Sequence, residues 1–185
     1  MAGFRNVRGE LQPIAGSVRG LSVAGGASPA QVGFSDDGDA LVVTEKSTNR
    51  LTSYRVRPDG SIGAPTVTAS PGQTPFGFAF NRHNRLLVAE AVGGAPGAST
   101  VSSYRFSQTD PAQPVVVSAS VPDTQAAACW VAITPNGRYA YVANTGSSSV
   151  SSYRIAVAGR TELANAVAGA TGRGWRTRGG RPGKS

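Results

Sequence analysis

The triplet Ser-Tyr-Arg occurs three times, at Ser53-Tyr54-Arg55, Ser103-Tyr104-Arg105 and Ser152-Tyr153-Arg154, with its tyrosines spaced 50 and 49 residues apart. A period of that size means that one structural unit is repeated, and the unit must then be read as a whole. Three segments align on it: AQVGFSDDGDALVVTEKSTNRLTSYRV from Ala30, FGFAFNRHNRLLVAEAVGGAPGASTVSSYRF from Phe76, and CWVAITPNGRYAYVANTGSSSVSSYRI from Cys129. Within each, Val32/Phe34, Phe78/Phe80 and Val131/Ile133 alternate with small or polar neighbours, as a strand requires. Asp37-Gly38 and Asn136-Gly137 then supply the turn of a tight hairpin, and the second unit carries His83-Asn84 there. The apolar runs ALVVTE, RLLVAE and YAYVAN suit second strands buried on both faces. Ser-Tyr-Arg ends a third strand, and stretches such as PTVTAS and QPVVVSAS form a fourth. Four strands in just under fifty residues predict a propeller blade.

The expected fold class is therefore all-β, a partial β-propeller of about three four-stranded antiparallel blades plus a partial blade. Phe4-Arg5 with GELQPIAGS after it resembles Tyr54-Arg55 with GSIGAPTVTAS after it, so the chain is expected to start inside the third strand of an earlier blade. The expected division is a partial blade over 1–27, blades over 28–73, 74–125 and 126–172, and a Gly/Arg-rich tail over 173–185. That tail, RGWRTRGGRPGKS, matches none of the repeats and is expected to be disordered, the product of a shifted reading frame. Three blades leave two open flanks, so the chain is expected to be a fragment of a longer product, with self-association through the open blade edges as the alternative.

The blade pattern Pro-Asn-Gly-Arg-Tyr-Ala-Tyr-Val-Ala-Asn resembles the YVTN-type repeat of the lactonase-family β-propellers, which include 6-phosphogluconolactonases and 3-carboxymuconate cyclases. VVTEKSTNRLTSY, TPFGFAF and AACWV are similar to stretches of its bacterial branch. The resemblance covers roughly residues 4 to 170 and implies a seven-bladed fold, about twice this length. It also implies hydrolysis of a sugar or organic-acid lactone at the channel mouth, without a cofactor. The alternative is a non-catalytic propeller that binds a protein or carbohydrate partner.

In a propeller, first strands line the channel, and Glu45, Glu90 and Asn144 each close a second strand, which places them at one rim. Thr74-Pro75-Phe76 and Ala127-Ala128-Cys129-Trp130 enter first strands at that rim. Glu45 and Glu90 are the candidate catalytic acid and base for a lactone carbonyl and its attacking water. Lys46, Arg50, Phe76, Trp130 and Asn144 are the candidate substrate-binding residues, with Lys46, Arg50 or Asn144 available to a developing oxyanion. The structural alternative is that these polar groups satisfy the backbone where strands end. His83, the only histidine, falls at the opposite end of its blade, and Cys129 sits among apolar neighbours as a packed thiol. One histidine and scattered acids make no zinc motif, and FSDDGD lacks the remaining positions of a calcium loop.

The net charge is +8, but residues 173–185 hold five basic and no acidic groups, which leaves the rest at +3. A nucleic-acid face is therefore not indicated outside the tail. GGRPGKS ends like a phosphate-binding loop, yet Arg178 stands where the first glycine is required. No apolar run is long enough for a membrane helix, and MAGFRNVRGE lacks the apolar core of a leader. Cytoplasm is the default compartment, with export open if a leader precedes the sequence.

Overall fold

The computed structural model describes residues 1–107 and 109–171, so the expectations for the tail lie outside the described residues. A two-stranded sheet of β1 (Phe4–Val7) and β2 (Glu10–Pro13) comes first. Three four-stranded antiparallel meanders come after it. Sheet A holds β3 (Pro29–Phe34), β4 (Ala40–Glu45), β5 (Arg50–Val56) and β6 (Ile62–Ala69). Sheet B holds β7 (Pro75–Phe80), β8 (Arg85–Glu90), β9 (Thr100–Phe106) and β10 (Pro114–Pro122). Sheet C holds β11 (Ala128–Ile133), β12 (Tyr139–Asn144), β13 (Ser149–Ile155) and β14 (Thr161–Ala170). This is the expected partial propeller, and among the described residues no helix is long and apolar enough to cross a membrane.

The first hairpin of each sheet turns on a left-handed residue. Gly38 and Gly137 take φ of +80° and +72°, values that glycine adopts without a side-chain clash. In sheet B the position belongs to Asn84, at φ 52°, which also serves its neighbour. Its Oδ1 accepts the Asp36 and Asp37 N–H groups, and its Nδ2 donates to the Asp37 carboxylate. The turn of sheet B thus braces the turn of sheet A, which a glycine could not do.

Strand alternation decides what each sheet buries. On β8, Leu86 and Val88 pack toward sheet A with Ala40, Val42, Phe78 and Tyr104. Leu87 and Ala89 point the other way, against Ala128, Ala140, Val142 and Tyr153 of sheet C. Each such fully buried aliphatic contributes about 1.5–3 kcal/mol relative to exposure, so the two joints hold the sheets together. The third second-strand, YAYVAN, departs from the expected burial on both faces. Ala140 and Val142 face sheet B, while Tyr139 and Tyr141 project from the far face and stay 38% and 43% exposed.

The Ser-Tyr-Arg triplet proves to be a two-way clasp. Tyr54 donates its hydroxyl back to the Gly20 carbonyl, and Tyr153 donates back to Val121. Ser53 donates forward to the Ala112 carbonyl in the next sheet's last turn, and Ser103 does the same to Gly159 at 2.9 Å. The arginines Arg55, Arg105 and Arg154 are exposed. The first triplet therefore binds its own sheet to both neighbours. Among the described residues the second reaches only forward, because the buried Tyr104 hydroxyl has no partner, and the third reaches only back.

Candidate functional site

The register brings one end of all three sheets to a common rim. Pro29 pairs with Glu45, Pro75 with Glu90 and Ala128 with Asn144, so each first strand begins where its second strand ends. Glu45, Glu90 and Asn144 consequently occupy equivalent places, and their surroundings are closely comparable.

Glu45 has no exposed surface. It accepts hydrogen bonds from the Ser22 N–H and hydroxyl and from the hydroxyls of Thr48 and Thr52. Glu90 is equally buried and accepts from Ser70 Oγ, Gly72 N, Thr100 Oγ1, Ser102 Oγ and Ser120 Oγ. In each case donors from the preceding linker and from the third strand converge on one carboxylate, which ties blade entry to blade interior. Sheet C reaches the same end with the charge moved. Asn144 Nδ2 donates to Ser151 Oγ at 2.7 Å, and Ser151 donates to the buried carboxylate of Asp123 in the linker at 2.9 Å.

Burial alone would push the Glu45 carboxyl up, but its hydrogen bonds to Ser22, Thr52 and Thr48 outweigh that and hold it below the ordinary glutamate range. A depressed folded-state pKa gives stability that is complete above the unfolded value of 4.5 and is lost as pH falls through the lower folded value. Urea midpoints are therefore expected to stay level from neutral pH to about 5.5 and to fall progressively below about 4.5. In Glu45→Gln that acid limb should be shallower, and an unchanged limb would remove Glu45 as its source.

The side chains that face outward at this rim are different ones. Lys46 Nζ lies 5.1 Å from the centre of the Phe76 ring, and Phe76 meets Trp130 edge-to-face at 5.7 Å and 88°. The Trp130 indole is 51% exposed. Neighbouring backbone fixes this row. Thr44 Oγ1 donates to the Phe76 carbonyl at 2.5 Å. Gln31 clamps Phe78 twice, its Nε2 donating to the carbonyl at 2.9 Å and its Oε1 accepting from the N–H at 2.8 Å. Gly77 lets the indole lie against β7, since a Cβ there would stand 2.7 Å from Trp130 Cε3.

Of the residues read from sequence, the fold thus joins Lys46, Phe76 and Trp130 in one row, the first two half-buried and Trp130 exposed, and sets Glu45, Glu90 and Asn144 inside their sheets. Arg50 lies opposite Glu45 in the register, half-buried, and the two form no ion pair. His83 sits at the opposite rim, in a polar cleft of about 400 Å³ with Asp37, Arg55 and Asn84. Cys129 is half-buried with Sγ 3.2 Å from Thr145 Oγ1. Sequence reasoning missed Asp123, Ser22, Gln31 and Gly77, together with the hydroxyls Thr52, Ser102 and Ser151. A signal for the last three was present, because each immediately precedes a Ser-Tyr-Arg triplet.

Chemically, an exposed indole offers a face to the apolar side of a ring ligand, and a neighbouring ammonium offers a donor to carbonyl or carboxylate oxygen. Among the described residues no group of three or more His, Cys, Asp and Glu is placed to hold a metal ion.

A family model described as lactonase, 7-bladed beta-propeller, matches residues 90–182. No curated protein matches the chain significantly. Among solved structures, a Lactobacillus plantarum protein aligns with a TM-score of 0.68 at 17% identity over 89% of this chain and 48% of its own. A Bacteroides fragilis protein provisionally described as a 6-phosphogluconolactonase aligns at 0.64 and 17% identity, over 78% and 40%. A periplasmic gluconolactonase of Pseudomonas aeruginosa aligns at 0.59 and 15% identity, over 82% and 40%. At such identities the likeness concerns the fold, and the chain spans less than half the length of these proteins.

Proposed function

The chain belongs to the lactonase family of seven-bladed β-propellers, and from that premise we propose that it forms part of a lactone-opening propeller whose ring ligand stacks on Trp130. The observation that supports this reading is the exposed Trp130 indole in a row with the half-buried Phe76 and Lys46 at the rim where first strands begin. A sugar or organic-acid lactone would lay its ring against the indole and turn its carbonyl oxygen toward the Lys46 ammonium. Water adds to the carbonyl carbon, the ring acyl–oxygen bond breaks, and a hydroxyl and a carboxylic acid result, the acid releasing its proton. The ammonium would stabilise the oxyanion that forms on the way.

We assign Glu45 and Glu90 to holding the rim. A general acid or base must touch the substrate or its water, and a carboxylate with no exposed surface and four or five donors of its own has neither access nor free lone pairs to do so. The same saturation favours a second reading, a module that binds a carbohydrate or protein partner without turnover.

Two measurements on the purified chain separate these readings. Titration with glucono-δ-lactone is expected to quench tryptophan emission saturably, and Trp130→Ala should abolish the effect. Acid release is expected to exceed the spontaneous rate and to fall roughly ten-fold or more in Lys46→Ala. Quenching without acceleration would support the binding module, and neither effect would remove the Trp130 row as a lactone site.

A further inference from the structure

The joint between sheets A and B opens at the rim opposite Trp130 into the polar cleft of about 400 Å³ that His83 borders. Asp37, Asp39, Arg55 and Arg85 bring charge to its walls. Two of the four are already committed. The Asp37 carboxylate accepts from Ser35 Oγ at 2.6 Å, from the Asp39 N–H at 3.1 Å and from Asn84 Nδ2. Arg85 lays its stem on the last turn of sheet C, its Cδ 3.0 Å from where a Cβ on Gly159 would stand. Arg55 and Asp39 are left. They are neighbours, since Ala40 pairs with Arg55 and the Val56 N–H donates to the Asp39 carbonyl at 2.8 Å. Both are exposed, and both also border an adjoining cleft of about 440 Å³. Among the described residues they form no ion pair, with each other or with any third group. The walls around them are fixed. Asn84 reaches across from sheet B to accept the Asp36 and Asp37 N–H groups, and Ser107 and Thr109 share a hydrogen bond of 3.0 Å.

We propose that this cleft binds a small zwitterion of the amino-acid class, its carboxylate on the Arg55 guanidinium and its ammonium on the Asp39 carboxylate. A guanidinium presents paired N–H donors that match a carboxylate, and an ammonium needs an acceptor with free lone pairs. Asp39 has them, whereas those of Asp37 are taken by its three donors. The ligand gives each of two neighbouring, unpaired charges a partner of opposite sign. Ligands of one sign fit less well. A simple anion on Arg55 would face Asp39, and a simple amine on Asp39 would face Arg55, so each would meet a like charge beside its partner. Size agrees, because clefts of about 300–1,000 Å³ hold small molecules. The site lies at the opposite rim from the Trp130 row and is independent of lactone binding there.

The test reads His83 by proton NMR of the full chain, since it borders the cleft and is the chain's only histidine, so its ring C–H signals need no further assignment. L-alanine is the probe, and propionate and ethylamine each carry one of its two charges. The His83 signals are expected to shift saturably with millimolar L-alanine, and binding of either single-charge analogue should be about five-fold or more weaker at the same pH. Arg55→Gln and Asp39→Asn change exposed side chains and should keep the strand signal in circular dichroism. Each is expected to weaken L-alanine by a similar factor. They should part on the analogues, Asp39→Asn retaining propionate and Arg55→Gln retaining ethylamine. The absence of a saturable shift with L-alanine would overturn the proposal. Propionate binding as tightly as L-alanine would do the same, by showing a plain carboxylate site, and that comparison needs no variant to fold. L-alanine binding that survives both substitutions would place the ligand elsewhere and end the assignment of Arg55 and Asp39.

Discussion

Replacing Glu90 with alanine is expected to cost about 3–5 kcal/mol of unfolding free energy, read as a large drop in the urea midpoint. Five donors converge on this carboxylate, and four of them are hydroxyls that can rotate toward other acceptors. The fifth, the Gly72 N–H, is fixed by the backbone and would be left buried and unpaired. Added to it is the cavity left by a fully buried side chain. Domains are stable by only about 5–15 kcal/mol, so the loss is a large share of the total. Glu90→Gln separates charge from shape. Oε1 can still accept from Gly72, and the new amide can donate to Thr100 and Ser120 once their hydroxyls turn. A cost of about 1–2 kcal/mol is expected for it. If alanine and glutamine cost the same few tenths, the carboxylate does not hold the rim. A glutamine variant that folds well but has lost any lactone turnover would return Glu90 to chemistry.

The repeat was legible because its marks are local. A spacing of about 50 residues, an Asp-Gly or Asn-Gly turn in two of the three units and a hydrophobic run in each leave few architectures open, and the three sheets fall where those marks put them. Side-chain direction was harder to read. Alternation shows that Tyr139 and Tyr141 share a face, but only the count of neighbouring sheets decides whether that face is covered. The rim acids show the same limit from another side. Their position was readable from alignment, whereas their donors come from linkers of irregular length, such as Ser22 and Gly72, which no period predicts. Sheet C makes the point most clearly. Its carboxylate has moved from the strand end, where Asn144 stands, to Asp123, the linker position equivalent to Ser70, each of the two donating its N–H to the carbonyl just before a third strand. The alignment presents two unrelated substitutions, and the fold shows one hydrogen-bonded cluster keeping one buried charge.

Gly77→Ala is expected to cost about 3 kcal/mol, and it tests how the Lys46–Phe76–Trp130 row is positioned. The added Cβ would overlap the Cys129 carbonyl oxygen and approach Trp130 Cε3 to 2.7 Å. The first obstacle is backbone, so a rotamer change cannot relieve it, and β11 must move away from β7. That movement opens the B–C joint where Ala128 and Leu87 are packed without exposed surface. Tryptophan emission should shift to longer wavelength as the indole leaves its seat, and lactone quenching should weaken even under conditions where the variant remains folded. Gly63→Ala is the control, since a Cβ there meets nothing closer than 3.7 Å and the change is expected to lie within about 0.5 kcal/mol of neutral. If Gly77→Ala behaves like that control, the close approach of β7 and β11 does not hold in solution. Trp130 would then be an unanchored surface side chain, and the case for a preformed ring-stacking face at this rim would fall with it.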